Sequence, residues 1–340
     1  MKIDGSLLVD DPADAGPLAR RLEEAGYDGA FTFEGRHDPF LPLAVAAQQT
    51  RTLELVTAIA IAFARNPMLL ANLGYDMQLL SKGRFVLGLG SQIRPHIERR
   101  FSMPWSRPAA RMRELVQAVR AIWRSWETGE KLDFRGEFYT HTLMTPVFDP
   151  GPNPYGTPRI LCAGVGPQMT EGVAEVADGF LVHPFHTAAS LASQTLPAIE
   201  RGLARGERAR DAFEISCQVI LATGRDDEEL ERARNGARAQ ISFYASTPAY
   251  RPVLASIGAE ALQPELNRLS KQGRWLEMAG RIEDGLLEQI AVVGPRAEIA
   301  DQLAARYAGR VDRVSLVAPF APDPQLWSDV VAALRAREAR

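Results

Sequence analysis

Apolar residues along this chain fall into two kinds of stretch that take turns. One kind is short and apolar almost throughout. The other is longer, with apolar positions three or four residues apart. The first reads as a strand covered on both faces, the second as an amphipathic helix. In order, "KIDGSLLV", "DGAFTFE", "LELVTAIAIA", "RFVLGLG", "PRILCAG", "DGFLVHP", "FEISCQVILATG" and "VDRVSLVAP" read as strands. Helices are expected between them, each with its punctuation. Asp11 and Gly26 bound the first, Asp38 and Pro39 open the second, and Asn66, Pro67 and Gly83 frame the third. Residues 107–129 form a long helix after the fourth strand. Further helices are expected at 167–177, about 188–205 and 323–338.

Eight strands, each followed by a helix, is the count of a closed (β/α)8 barrel, so the expected fold class is an α/β TIM barrel. The competing open sheet carries a Gly-rich turn after its first strand, and "VDDPADAG" is no such turn. Two regions exceed the minimal unit. Residues 130–157 read as a hairpin followed by a Pro/Gly-rich loop, and 225–290 as a mostly helical connection. Neither has a core pattern sufficient for a separate domain. They read as insertions after strands 4 and 7, on the rim or at oligomer contacts, within one domain spanning 1–340.

Composition narrows the function without choosing it. With 46% hydrophobic and 24% charged residues, the chain is an ordinary globular protein. A net charge of -3 leaves no footprint for nucleic acid or a membrane surface. No apolar run is long enough to cross a bilayer and no secretory pattern opens the chain, so the cytoplasm is the expected compartment. Cys162 and Cys217 cannot make a disulfide framework or a zinc site. The histidines (37, 96, 141, 183 and 186) contain no HExxH pair, and no metal is expected. No G-x-S-x-G elbow supports acyl transfer.

Barrel enzymes carry their working groups where strands end at the C-terminal face. Strand 2 ends at Glu34, with Arg36, His37 and Asp38 beyond. Glu34 is a polar neighbour of a bound ring, a proton donor, or half of a rim ion pair with an Arg. Asp38 reads as a helix cap, and His37 fits either role. Strand 3 ends in "TAIAIAFARNP", whose small side chains leave room for a flat ligand against the backbone. Gly88 and Gly90 in strand 4 permit tight packing, a bulge or ligand approach. His96 is a ligand contact or a polar loop residue. Gly164, Val165 and Gly166 precede Pro167 at a helix start, where backbone N–H groups cradle a phosphate or simply make a tight turn. Strand 6 ends with His183 and His186 as open candidates. Phe33, Phe40, Phe63, Trp105, Phe148, Phe185 and Tyr244 are rim aromatics or packing residues; as rim residues they fit a small organic substrate.

Several segments in this order resemble the bacterial luciferase-like superfamily of flavin and deazaflavin enzymes. They are "RRLEEAGYDGAFTFEGRHDPFLPLAVAA", "LELVTAIAIAFARNPMLLANLGYDMQLLSKGRFVLGLGSQ", "RPAARMRELVQAVRAIW", "ILCAGVGPQMTEGVAEVADGFLVHP" and "AVVGPRAEIADQL". The likeness is strongest to the branch that uses coenzyme F420. It implies an oxidoreductase passing a hydride between the deazaflavin C5 and an organic substrate. The alternative within the superfamily is an FMN-dependent monooxygenase using reduced flavin and oxygen. The resemblance also implies a non-prolyl cis peptide at Ala58–Ile59, flanked by Thr57 and Ala60, behind the ring system. It implies cofactor contacts from Glu34, Ser91, Gln92 and His96. Gly164, Val165, Gly166 and Pro167 match the segment that holds the phosphate. The proton donor is left open among Glu34, His37 and His96. Some sugar-oxidising members have an acidic residue followed by His at the end of strand 2 and a Glu after strand 4. Here Gly35 follows Glu34 and Ile93 stands at the second position, which argues against that substrate. A homodimer through the helices beside strands 2 and 3 is the implied assembly.

Overall fold

The computed structural model describes residues 1–318 and 327–338. Its centre is a ring of parallel strands: β1 (Lys2–Ser6), β2 (Gly29–Thr32), β3 (Glu54–Thr57), β4 (Phe85–Gly90), β5 (Arg159–Ala163), β6 (Gly179–Val182), β7 (Glu214–Ala222) and β8 (Arg313–Val317). Each pairs with the next in the chain, and β8 pairs with β1 through Lys2↔Arg313, which closes the barrel. Around it lie α1 (Ala15–Glu24), α2 (Phe40–Gln49), α3 (Pro67–Ser81), α4 (Pro108–Thr128), α5 (Pro167–Val176), α6 (Leu196–Arg205), α7 (Asp227–Ala245), α8 (Arg296–Tyr307) and α9 (Ser328–Glu338). The α/β TIM barrel is therefore the fold. Pro319 of the expected last strand and residues 323–326 of the expected last helix lie outside the described residues.

Alternation along the strands decides what fills the interior. A dry layer of Phe31, Val56, Val86, Leu161 and Leu181 occupies the middle of the barrel. Below it, at the strand starts, the inward positions are charged. Arg313 is buried against Asp4 (2.6 Å), Glu54 and Glu214 (3.1 Å). Arg159 bridges Glu54 (3.1 Å) and Glu214 (2.7 Å), and Lys2 reaches Glu54 (2.8 Å). Above the dry layer the barrel opens into the site.

The third strand is not continuous, as "LELVTAIAIA" suggested. β3 stops at Thr57, Ala60–Ile61 pairs separately with Leu89 and Gly90, and Ala62–Ala64 forms a 3-10 turn. The Ala58–Ile59 peptide is cis, as the resemblance implied. Gly88 explains the break. A Cβ there would lie 1.7 Å from the Thr57 carbonyl oxygen, so only glycine admits this main-chain path. The Thr57 hydroxyl then accepts from Gly88 N–H and donates to Gly88 C=O, each at 2.8 Å, in place of the regular ladder.

Both insertions are present. Phe134–Arg135 and Thr140–His141 make an antiparallel hairpin. α7 and the short helices after it gather around an apolar cluster of their own, including Ala233, Ile241, Leu254, Leu266 and Leu287, joined to the barrel through Phe185 and Ile220. Val292–Val293 adds a short strand beside β7, an element the hydrophobic pattern did not single out.

Candidate active site

At the C-terminal mouth a cleft of about 780 Å³ opens over the ends of β3 to β6, and a second lobe of about 310 Å³ continues past His183 and Tyr250. Gly164, Val165, His183, Ala249 and Tyr250 border both lobes, so they form one site. Its floor is Ile59 and Gly90, packed so closely that a Cβ on Gly90 would stand 2.9 Å from the Ile59 side chain. Thr57, Ala58 and Ala60 are buried behind that floor. Four bonds hold it. Ala58 N–H donates to Thr32 O (2.7 Å) and Glu34 N–H to Ile59 O (3.0 Å). Gln218 Nε2 donates to Ala58 O (3.1 Å), and Ile61 N–H donates to the Glu34 carboxylate (2.8 Å).

Glu34 is therefore a support for the floor rather than a wall of the cleft. Its carboxylate pairs with Arg65, which also bonds Asp38 at 2.7 Å. This is the rim ion pair that the sequence left open beside the catalytic role. Asp38 also accepts from Phe40 N–H at 2.9 Å, as a cap should. His37 bonds the Asp10 carbonyl at 2.8 Å and borders a different hollow, at the ends of β1 and β2. His96 is exposed and does not border the cleft, because the next residue, Ile97, turns fully into the core. The three residues named as proton donors are thus not gathered in the cleft. Ser91 and Gln92 do border it, with Gln92 at φ 59 turning the chain over the floor.

Gly164, Val165, Gly166 and Pro167 run along the wall and lead into α5, with Gly166 at φ 83 as its cap. Pro167 needs no N–H partner, and the next amides of the first turn are the anion-binding groups of such an end. Arginines stand nearby: Arg113 and Arg205 on the large lobe, Arg201 on the small one. Each is tied to a carboxylate on α5, Arg113 to Glu175 (3.1 Å), Arg201 and Arg205 to Glu171 (2.8 and 2.7 Å). Sequence reasoning passed over these cations and Gln218. The available signal was two arginines four apart in "ERGLAR" opposite two glutamates four apart in "EGVAE". Gln218 was visible as the one large polar residue inside "CQVILA".

The family described as luciferase-like monooxygenase matches residues 3–313. The chain belongs to that family. An uncharacterized protein of Mycobacterium tuberculosis is 56% identical over 314 residues, covering 92% of each chain. The F420-dependent glucose-6-phosphate dehydrogenase of Nocardia farcinica is 27% identical over 295 residues, 82% of this chain and 84% of that one. Among solved structures, the coenzyme F420-dependent tetrahydromethanopterin reductase of Methanopyrus kandleri superposes with a TM-score of 0.80 at 18% identity, covering 98% of this chain and 96% of that one. As a luciferase-like protein this chain is an oxidoreductase in the broad sense that includes monooxygenases. No described helix is long and apolar enough to cross a membrane.

Proposed function

We propose that the chain is a cytoplasmic F420-dependent oxidoreductase acting on a small organic molecule. The observation that carries this reading is the cleft: a main-chain floor at Ile59 and Gly90, apolar walls, and a cationic glycine turn at one end. A relative named as F420-dependent supports the choice of deazaflavin over flavin. The residues fit the group. Ile59, Gly90, Ser91 and Gln92 would border a planar tricycle, and Gly164–Pro167 with Arg113 and Arg205 would hold a phosphate. When bound, the deazaflavin supplies a two-electron hydride carrier at C5. The chain itself orients and excludes water. Met169, Trp105 and Tyr250 line the cleft with apolar surface, which strengthens every polar contact made inside it.

Calorimetry with F420 and with FMN tests this reading. F420 is expected to bind, and Arg205→Gln and Arg113→Gln are each expected to weaken it about tenfold, the worth of one charge-assisted contact. Tight binding of FMN alone, with oxygen uptake on reduced flavin, would instead assign a monooxygenase.

The reading includes a homodimer. α2 and α3 pack side by side, and Leu41, Leu69, Leu79 and Leu80 on them are between 41% and 58% exposed. Exposed leucines on two adjoining helices support an association face there. Sedimentation should give twice the chain mass, and Leu69→Asp with Leu80→Asp should give the single mass. A wild-type monomer at micromolar concentration would refute the dimer.

A further inference from the structure

His183 is a group the reading above leaves without a task. The inward residues of β6 are spaced two apart, so Leu181 in the dry layer is followed by His183 at the mouth. Its ring borders both lobes of the cleft. Phe185 N–H donates to His183 Nδ1 at 3.1 Å. An N–H donor makes Nδ1 the acceptor, so in the neutral ring the proton sits on Nε2. Among the described residues Nε2 has no hydrogen-bond partner, and it is not sealed inside protein.

The ring is held in place. Tyr250 stacks on it at 4.6 Å and 26°, and Tyr244 meets it edge-on at 4.7 Å and 78°. His186 cannot share the task. Its Nδ1 donates to the His183 carbonyl (2.9 Å), which leaves Nε2 to accept from the Tyr307 hydroxyl (3.1 Å). The surroundings favour a neutral His183. Neither lobe is bordered by a carboxylate, whereas Arg94, Arg107, Arg113, Arg201 and Arg205 border them, the last three paired with Glu175 and Glu171 on α5. Burial, and then the neighbouring His186, push the His183 pKa down to about 3. The phenols of Tyr244 and Tyr250, which face it from the 225–290 insertion, are pushed up by burial.

We propose that His183 is a fixed, neutral hydrogen-bond donor for a carbonyl oxygen of the substrate, and that the small lobe takes the apolar body attached to that carbonyl. Phe180, Val182, Phe185 and Pro252 supply the apolar wall. The proposal rests on the oxidoreductase reading for its place in a reaction, and deepens it by naming the substrate class. A neutral donor suits this task because it polarises a carbonyl without requiring a buried cation.

The test uses the whole chain labelled with 15N-histidine. Only five histidines are present, so the His183 ring is assigned by its loss in H183F. In wild type the ring should stay neutral with its proton on Nε2 from pH 5 to 8.5. A titration inside that range, or a proton on Nδ1, would overturn the proposal. Acetophenone and ethylbenzene then serve as probes that differ in the carbonyl. Acetophenone should shift the Nε2 signal and bind at least fivefold more weakly to H183F than to wild type. H183Q, which keeps an N–H donor, should recover part of the loss. Ethylbenzene should bind all three alike. Equal losses for both probes, or no acetophenone binding to wild type, would refute a carbonyl subsite. Calorimetry with F420 is run separately: failure to bind F420 with intact His183 dependence would remove the cofactor reading and leave this one standing.

Discussion

Arg313→Met is expected to cost about 3–5 kcal/mol of unfolding free energy in urea, the usual range for stripping one partner from a buried ionic cluster. The barrel floor explains why. Arg313 is 1% exposed and serves Asp4, Glu54 and Glu214 together. Without it, carboxylates on three strands, β1, β3 and β7, face each other, with Lys2 and Arg159 answering only Glu54 and Glu214. Methionine fills much of the volume, so the loss is electrostatic rather than a cavity. Acid supplies an independent check. Burial alone would raise the Glu54 pKa, but Arg313, Lys2 and Arg159 outweigh it and bring it down from 4.5 to about 2. A lowered carboxylate contributes stability above its unfolded pKa and loses it as pH falls toward the folded one. Wild type should therefore lose roughly 3 kcal/mol from this group between pH 5 and pH 2. In Arg313→Met that acid loss should shrink or reverse, because buried carboxylates without their cation bind protons more readily when folded. Urea midpoints at pH 3 and pH 6 for both proteins decide it. Parallel pH dependence would show that Arg313 does not govern the cluster.

The barrel was legible because most of its strands read as short, mainly apolar stretches set between helical ones, and every strand of the ring falls inside one of the eight stretches read as strands. The charged floor was legible in principle. Asp4, Glu54, Arg159, Glu214 and Arg313 all stand near strand starts at inward positions. What could not be read were side-chain partnerships made across neighbouring strands. Thr57 meets Gly88, and Glu34 meets Arg65, each across 31 residues. Nothing local in either segment names its partner. The tie between Glu34 and Arg65 was unreadable for that reason: a carboxylate at a strand end looks the same whether it faces solvent, ligand or an arginine. The outward turn of His96 was missed for a different one. The apolar Ile97 inside "RPHIERRF" pulls the turn inward and sends His96 out, a local signal outweighed by the expectation of a cofactor contact. His183 shows the reverse case, since counting two from Leu181 sets it at the mouth.

Gly88→Ala is expected to be the most damaging single-methyl change in the chain, and its neighbours rank the effect. Its Cβ would stand 1.7 Å from the Thr57 carbonyl oxygen and 2.9 Å from the carbonyl carbon. Both are main chain, so no rotamer change relieves the clash. β3 and β4 must part where the Thr57 hydroxyl bonds both Gly88 N–H and Gly88 C=O. Overpacking and two weakened buried bonds together cost about 3 kcal/mol or more. Gly90→Ala meets the Ile59 side chain, Cδ1 and Cγ1 at 2.9 Å and Cβ at 3.4 Å, but no main chain, so a side-chain shift relieves most of it. That variant should stay within about 1.5 kcal/mol of wild type while binding F420 more weakly, because Ile59 is the floor of the cleft. Gly172→Ala lies inside α5 with its nearest contact at 3.7 Å, and should gain up to about 1 kcal/mol from helix propensity. Thermal unfolding of the three, with F420 calorimetry on those that fold, separates stability from site geometry. If Gly88→Ala melts with wild type, the close approach of Thr57 to β4 is not what shapes the mouth. If Gly90→Ala binds F420 as wild type does, Ile59 is not the surface on which the ring system lies.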